Sequence, residues 1–252
     1  MEAKEFKMPI VDIHSHIIYG VDDGAVDIKM SLELIDDLYN QGVRDIFCTT
    51  HSYYIEGGRE NYDKRFNEIN NIVKEKYSDL RLFKGCEILC YEHNIKSIIR
   101  KIDDKIFPTL NETKYVLVEF DIYSKDKINL FGMAYCLKQL IDRGYIPIIA
   151  HAERYYEVYE DMIENIMSFK RMGCMVQVNL YSILGIVEKY DKPANELLNN
   201  KLIDFVGTDI HRFNPIDTRN AVDKIINQIG RTQAANILFV NASMYLINDS
   251  DK

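Results

Sequence analysis

The chain has 252 residues, 47% of them apolar, and its 39 acidic and 31 basic side chains give a formal charge of −8. The excess of acidic groups argues against general nucleic-acid binding, which requires a basic surface. The apolar runs, such as Ile146–Ala150, fall far short of the roughly 20 residues that cross a bilayer, and the charged start of the chain lacks a signal-peptide core, so we expect a cytoplasmic protein without membrane insertion.

Short apolar and β-branched runs recur along the whole chain, each followed by helical spacing. Seven predicted strands are Ile10–His14, Arg44–Thr49, Leu80–Glu87, Tyr115–Phe120, Ile146–His151, Met175–Leu180 and Asp204–Asp209. The predicted helices are Met30–Asn40, Asn61–Lys76, Ile128–Arg143, Glu157–Met172 and Ala194–Asn200. This alternation predicts parallel strands with helical crossovers in a single domain over residues 1–252. It is compatible with an open doubly wound sheet and with a barrel.

Polar side chains gather where these strands end. Five of the six histidines and three carboxylates share this position: His14, His16, His51, Glu87, Glu119, His151, Asp209 and His211. One histidine at a strand end is usually a hydrogen-bonded core residue, but core histidines have no reason to choose the same end of four strands. A closed barrel brings all strand ends to one rim, where active sites lie, so the pattern favours a barrel. The sixth histidine, His93, is predicted to be a surface residue.

The spacing and chemistry of these side chains indicate metal ions. Residues at i and i+2 of an extended segment point to the same face, so His14 and His16 can bind one ion, and Asp209 and His211 repeat the arrangement. Imidazoles and carboxylates without thiolate suit manganese, iron or zinc and argue against a structural zinc site. Because one catalytic ion rarely takes more than about four protein ligands, the set predicts two or three ions that share bridging carboxylates.

The motifs that contain these residues resemble those of a known superfamily. Asp12–His16, followed by Gly20–Ala25, resembles the opening of the PHP (polymerase and histidinol phosphatase) superfamily. The later motifs match in order: Gly85–Ile88, Phe107–Asn111, Leu117–Phe120, Ile149–Tyr155, Gln177–Asn179 and Thr208–His211. In particular, the chain is similar to the manganese-dependent protein tyrosine phosphatases that are encoded with bacterial capsule and exopolysaccharide machinery.

The resemblance implies a distorted (β/α)7 TIM-like barrel, the PHP fold, with a trinuclear metal centre at the C-terminal rim of the strands. The resemblance also implies that the eight strand-end residues correspond to the family's metal ligands and that Arg154 corresponds to its phosphate-contacting arginine. Manganese is the expected metal, with iron, zinc or magnesium as alternatives. The implied reaction removes phosphate from the tyrosine-bearing tail of a bacterial tyrosine kinase and so regulates capsular or exopolysaccharide synthesis. A second phosphate-contacting arginine stays unassigned, because neither Arg212 nor Arg219 aligns cleanly.

The cysteines do not fit the other chemistry that tyrosine phosphatases use, a cysteine nucleophile with an arginine six positions later. The residues six positions after Cys48, Cys86, Cys90, Cys136 and Cys174 are Tyr54, Glu92, Lys96, Asp142 and Leu180. Because none of them is arginine, we expect attack by water that is activated at the metal site. Their odd number and scattered positions also indicate reduced thiols, as in the cytoplasm.

Two further catalytic roles follow from the same set of residues. Arg154 presents a planar fork to phosphate oxygens and can stabilise the charge of the transition state. Asp209, or alternatively His211, is a candidate to protonate the departing tyrosyl oxygen, although a metal ligand and a proton donor compete for one side chain.

Three other functions stay open at this point. A PHP phosphoesterase could act on a small metabolite such as histidinol phosphate or on a nucleotide, for which a deep closed pocket would be expected. An adaptor could keep the site and only bind the kinase, but such a protein has no chemical need for all eight ligands. An amidohydrolase barrel usually needs a carboxylated lysine, and no predicted strand ends in lysine. The oligomeric state is also open.

Overall fold

The computed structural model describes residues 8–121, 129–157, 161–212 and 217–247. The strands are β1 (Ile10–Ser15), β2 (Val43–Cys48), β3 (Arg81–Lys84), β4 (Glu87–Leu89), β5 (Tyr115–Glu119), β6 (Ile146–Ile149), β7 (Met175–Asn179) and β8 (Phe205–Gly207). All seven predicted strands are confirmed, although the third is interrupted at Gly85 and Cys86 and forms both β3 and β4. Every paired strand runs parallel to its neighbour.

The strands form two sheets, β1-β2-β3 and β4-β5-β6-β7-β8, and hydrogen bonds beyond the strand ends join them into a ring. At one seam, the amide of Glu87 donates to the carbonyls of Thr49 and Thr50, each at 3.2 Å. At the other, the amide of Asp209 donates to the carbonyl of His14 at 2.7 Å, and the amide of His16 donates to that of Ile210 at 3.0 Å. Since β3 and β4 share one position, the ring is a distorted (β/α)7 barrel, as predicted.

Helices surround the ring. They are α1 (Ile28–Asn40), α2 (Ser52–Ile55), α3 (Arg59–Lys76), α4 (Ile95–Asp103), α5 (Leu130–Asp142), α6 (Met162–Met172), α7 (Leu180–Ile183), α8 (Glu188–Asn199), α9 (Thr218–Ile229), α10 (Arg231–Ala235) and α11 (Asn241–Tyr245). None of the described helices is long and apolar enough to cross a membrane.

The helix predictions are confirmed in position, and their ends differ for local reasons. Helix α1 begins two residues before the predicted start because the Asp27 side chain caps it, accepting from the amide of Met30 at 2.8 Å. The predicted Ile128–Arg143 helix begins at Leu130, where Asn129 provides the same cap, and residue 128 lies outside the described residues. The predicted Glu157–Met172 helix begins only at Met162; Glu157 ends a 3-10 segment, and residues 158–160 are not described.

The barrel interior is filled by apolar side chains from six of the strands, together with the end of the chain. This inner cluster includes Val11, Ile13, Phe47, Phe83, Leu117, Ile148, Phe205, Ala242 and Leu246. The C-terminal helical segment lies at the amino ends of the strands, because Asn241 Nδ2 donates to the carbonyl of Asp204, just before β8, at 2.9 Å. The amino end is therefore closed by apolar packing, and the carboxyl end is left to the polar residues.

Candidate metal centre

The residues predicted to bind metal lie together at the carboxyl rim of the barrel. The Nε2 atoms of His14 and His16 are 3.2 Å apart, so the two imidazoles point to one spot, as the i, i+2 spacing predicts. Glu87 Oε2 lies 3.3 Å from each of these nitrogens, and Asp209 Oδ1 lies 3.5 Å from each. Two imidazoles and two carboxylates thus surround a single point.

Glu87 also belongs to a second group of side chains. His51 Nδ1 lies 2.9 Å from Glu87 Oε2 and 3.1 Å from Glu119 Oε1. His151 Nε2 lies 2.8 Å from Glu87 Oε1 and 3.9 Å from Glu119 Oε2. Glu87 therefore stands between the two groups, in the position of a bridging carboxylate.

A third group brings in His211 and a residue that the sequence analysis did not select. Asp23 Oδ1 lies 3.5 Å from the Nε2 atoms of both His51 and His211. His16 completes this group, and its ring stacks on that of His211 with centroids 3.9 Å apart. Asp23 lies in the loop after β1 rather than at a strand end, so periodicity could not select it. The Gly20–Ala25 motif was the available signal.

Hydrogen bonds on the far side of each ring orient the first two histidines. Asp22 Oδ2 pairs with His16 Nδ1 at 2.8 Å, and Gln177 Oε1 lies 3.1 Å from His14 Nδ1. Such partners fix the tautomer and direct the other nitrogen toward a metal. The Asp22 loop passes so close to β1 that a Cβ on Gly24 would lie 2.1 Å from the His16 carbonyl oxygen. Only glycine fits at this position.

The backbone is strained where two of these strands end. His151 and Asp209 adopt φ angles of +32° and +51°, in the left-handed region that residues other than glycine rarely occupy. Strain of this kind persists only where the surrounding structure enforces it, and it concentrates at functional sites. Next to Asp209, a Cβ on Gly207 would lie 2.7 Å from the Cβ of His14. The close approach of β8 to β1 sets Asp209 against His14.

The donor set fits divalent cations. Glu87 Oε2 is buried and makes no hydrogen bond within the described part of the chain, although imidazole nitrogens of His14, His16 and His51 lie within 3.3 Å. An orphaned buried oxygen is costly unless a cation satisfies it. Burial alone would raise the pKa of Glu87, but the neighbouring imidazoles hold it well below its usual range, so the side chain stays ionised.

Three of the five imidazoles, those of His14, His16 and His51, have raised pKa values, which shows that their part of the site attracts positive charge. Burial lowers the pKa of His51, but the adjoining carboxylates of Glu119 and Glu87 outweigh it and raise the value to about 11. For His16, the hydrogen bond to Asp22 and the nearby carboxylate of Glu87 likewise outweigh burial and raise the pKa to about 10. Protons on these rings take the place that metal ions would otherwise fill, because ligands must be deprotonated to bind.

Arg154 lies at the edge of the same rim. Its Nη2 donates to Asp209 Oδ2 and to the hydroxyl of Tyr181, and a quarter of its side chain (25%) is exposed. Asn179 Nδ2 donates to both of these oxygens, at 3.0 Å and 2.9 Å. Burial would raise the pKa of Asp209, but Arg154 and His14 hold it well below its usual range. Asp209 thus lies between His14 and Arg154, and its two roles as metal ligand and proton donor stay predictions.

The remaining candidates lie at the edge of the site or away from it. His93 is exposed and its ring stacks on that of Tyr91, in agreement with the surface position predicted for it. Arg212 is exposed directly after His211, and Arg219 lies in the first turn of α9. Sequence reasoning missed the contacts of Asn179 and Tyr181 with Arg154 and Asp209, although Asn179 closes one of the motifs that carry the resemblance.

Comparison with known proteins gives consistent matches over nearly the whole chain. The family model for capsular polysaccharide synthesis, CpsB/CapC, matches residues 10–247. The tyrosine-protein phosphatase CpsB of Streptococcus pneumoniae is 32% identical over 250 residues, which cover 95% of this chain and 99% of that protein. The tyrosine-protein phosphatase YwqE of Bacillus subtilis (strain 168) is 31% identical over 218 residues, covering 84% of this chain and 80% of YwqE.

Solved structures agree with these matches. A crystal structure from work on YwqE of Bacillus subtilis and CpsB of Streptococcus pneumoniae, described as unique metal-dependent tyrosine phosphatases, superposes with a TM-score of 0.79. It is 26% identical, and the match covers 94% of each chain. A histidinol phosphate phosphatase of Lactococcus lactis, 16% identical with a TM-score of 0.58 over 89% of this chain and 95% of its own, shares the fold.

Proposed function

Because the chain belongs to the CpsB/CapC family of capsular polysaccharide synthesis, we propose that it is a metal-dependent protein-tyrosine phosphatase. The observation that carries the proposal is Glu87, a buried carboxylate whose Oε2 lies within 3.3 Å of three imidazole nitrogens without a hydrogen bond among the described residues. Such an atom needs a cation. The relatives named as tyrosine phosphatases match this chain over nearly its whole length, which supports phosphotyrosine as the substrate.

Eight strand-end residues would hold two or three divalent ions, with manganese as the proposed metal. They are His14, His16, His51, Glu87, Glu119, His151, Asp209 and His211. Asp23 joins them, because its carboxylate faces His51 and His211. When bound, divalent ions lower the pKa of water toward neutrality and offset the charge of a phosphate dianion. The protein's part is to keep the carboxylates ionised and the imidazoles aimed at shared points.

Arg154 is the proposed contact for the phosphate oxygens. Its guanidinium is held by Asp209 and Tyr181 and is partly exposed, so it can meet a substrate without a large movement. A planar, permanently charged group fixed beside the reacting phosphorus stabilises the charge that develops in the transition state. Substrate oxygens would share the donors of Arg154 with Asp209.

The cysteines support hydrolysis without a thiol nucleophile. All five are free and buried. Burial raises the pKa of Cys48, Cys86 and Cys90, the three nearest to the proposed ligands in sequence, well above that of an ordinary thiol, so none of them forms a thiolate near neutral pH. Free buried thiols also fit the cytoplasm, where we place the enzyme.

The proposed substrate is a tyrosine-phosphorylated protein, specifically the tail of a bacterial tyrosine kinase that controls capsular or exopolysaccharide synthesis. The rim is open to such a tail, since Asp23 and Tyr53 are each about half exposed, with the Asp23 side chain at 52% and Tyr53 at 49%. A phosphotyrosine at the end of a flexible chain can reach an exposed rim, whereas a metabolite enzyme usually encloses its ligand.

The test measures phosphate release by chelator-stripped protein with and without added Mn²⁺. The substrates are a phosphotyrosyl peptide and histidinol phosphate in parallel. We expect manganese-dependent release that favours the peptide. Release from histidinol phosphate alone would keep the metal site and overturn the substrate; binding of the peptide without any release would point to an adaptor.

A further inference from the structure

A small cavity opens beside the candidate metal centre. Its volume is about 220 Å³, and its walls are Tyr53, Leu89, Glu119, Phe120, Asp121, His151, Arg154 and Tyr155. Three of these residues, Glu119, His151 and Arg154, already belong to the proposed ligand and phosphate-binding set. A phosphate held at Arg154 therefore has this cavity as its immediate neighbour.

The other walls suit a flat apolar group. Leu89, Phe120, Tyr53 and Tyr155 contribute carbon-rich surface. A cavity of this volume lies below the range of roughly 300–1,000 Å³ that holds drug-sized ligands, so it has room for one ring rather than a folded peptide segment. The rest of a peptide substrate would lie outside, over the exposed rim.

Two of the aromatic walls differ in how firmly they are held. Tyr155 is fully buried, its hydroxyl accepts from the amide of Phe120 at 3.1 Å, and its ring meets that of Phe120 edge to face. Tyr53 is instead about half exposed, and its ring lies nearly parallel to that of His51, with centroids 4.9 Å apart and an interplanar angle of 21°. Tyr155 forms a fixed wall and Tyr53 an accessible one next to the metal ligands.

We propose that this cavity binds the aromatic ring of the substrate and that Tyr53 sets the preference for aryl over alkyl phosphate esters. The inference rests on the proposed function, since it places the ring of a phosphotyrosine beside the phosphate site. Aromatic rings gain from stacked or edge-to-face contact beyond the burial of their area. An alkyl phosphate lacks a ring and makes no such contact.

A binding experiment tests the cavity without relying on turnover. Phenylphosphonate and methylphosphonate share the charged head group and differ in the ring, and calorimetry on the manganese-loaded protein compares them. We expect phenylphosphonate to bind about three- to tenfold more tightly than methylphosphonate, the range that aromatic contacts supply. Tyr53→Leu should remove most of this preference, and Tyr53→Phe should keep it.

Tyr54→Leu is the matched control. Tyr54 is the next residue on α2 and is about as exposed as Tyr53, at 45%, but it does not line the cavity. Its ring lies against that of Tyr53, with centroids 4.7 Å apart, but it forms no wall of the cavity, so Tyr54→Leu should keep most of the preference for the phenyl group. Equal binding of the two phosphonates by the wild type, or a preference that survives Tyr53→Leu, overturns the inference. Equal weakening of both phosphonates in Tyr53→Leu also overturns it, because Tyr53 would then act only by supporting His51.

Turnover separates the inference from the proposed function. In Tyr53→Leu we expect the KM for a phosphotyrosyl peptide to rise about three- to tenfold while kcat stays within about twofold. An unchanged KM contradicts the ring site and leaves the phosphatase standing. A wild type that prefers phenylphosphonate but does not cleave the peptide contradicts the phosphatase and leaves the ring site standing.

Discussion

At the amino end of the barrel, charged groups meet in pairs of opposite sign. Arg81 holds Asp45 with two hydrogen bonds of 2.6 Å and 2.9 Å, and Lys170 pairs with Asp204. At the carboxyl end, imidazoles and carboxylates are instead buried in one shared cluster, in which the imidazole nitrogens of His14 and His16 are only 3.2 Å apart. The amino end thus balances its charges in separate pairs that hold the fold together, and the carboxyl end collects many ionisable side chains around shared points where a ligand can bind.

The contrast has a consequence for mutations. Removing an apolar group from the amino end leaves a void in packed structure, so the free energy of unfolding should fall. Removing a buried charged group from the carboxyl end takes away a ligand and leaves its neighbours without a counter-charge, so activity should fall much further than the stability of the metal-free fold. Four substitutions or conditions test this, in order of the expected free energy.

Glu87→Gln should produce the largest effect. The change keeps the shape of the side chain but removes the charge that four imidazoles share, so we expect kcat/KM to fall about 10³-fold or more. The midpoint temperature of thermal unfolding in the presence of a chelator should fall by no more than about ten degrees, because imidazoles that lose their counter-charge can release their protons. Loss of activity together with a collapse of metal-free stability would break the contrast between the two ends.

Leu246→Ala is the counterpart at the amino end. Leu246 is fully buried in the inner cluster. Truncation should lower the free energy of unfolding by about 3 kcal/mol through lost burial and a residual cavity. Denaturant unfolding measures this, and kcat for the folded, manganese-loaded variant should stay close to wild type. A selective loss of kcat would show that the C-terminal segment has a role at the rim.

Arg154→Ala should lower kcat/KM about 10²-fold, the scale on which a single charged donor to the transition state acts. Metal content, measured by elemental analysis after desalting, should be unchanged. Tyr181→Phe is the milder companion, since it removes one oxygen that holds the guanidinium and keeps the ring. Joint loss of metal and activity in Arg154→Ala would reassign the arginine to the support of Asp209.

Counted per proton and per pH unit, the pH dependence of metal binding is the smallest predicted effect. The raised pKa values of His16 and His51 mean that both rings carry protons at neutral pH in the metal-free protein, and a metal must displace them. Affinity should therefore rise with pH, about tenfold per pH unit for each proton released. Calorimetry in buffers of different ionisation enthalpy counts these protons. Affinity that is flat from pH 6 to 8 would mean that the rings are already neutral.

Sequence periodicity predicted the parts of the site that repeat. The strands were visible from apolar runs, and the shared rim followed from one rule, that parallel strands end on the same side. Asp23 was not predicted as a ligand because it lies in a loop, where no hydrophobic periodicity indicates the direction of a side chain. The closure of the amino end by Leu246 was not predicted either, because a contact between the last residues of the chain and β1 produces no pattern in the nearby sequence.

The interruption in the third predicted strand has the same origin. Gly85 separates β3 from β4, and a Cβ there would lie 2.7 Å from a methyl group of Leu110. That contact is set by a distant turn, so the run from Leu80 to Glu87 gave no sign of a break. The side-chain contacts around Arg154 were hidden for a similar reason, since Asn179 and Tyr181 arrive from a different strand and helix.

The seam between the two sheets gives Glu87 a structural role in addition to its proposed role as a ligand. Its amide closes the gap between the end of β2 and the start of β4, and its carboxylate lies at the middle of the ligand cluster. The barrel is therefore least continuous where its ligands are densest. Bound ions would link the two sides of this gap and suppress local opening there. The rate of hydrogen exchange at the Glu87 amide should therefore report the fraction of protein with metal bound.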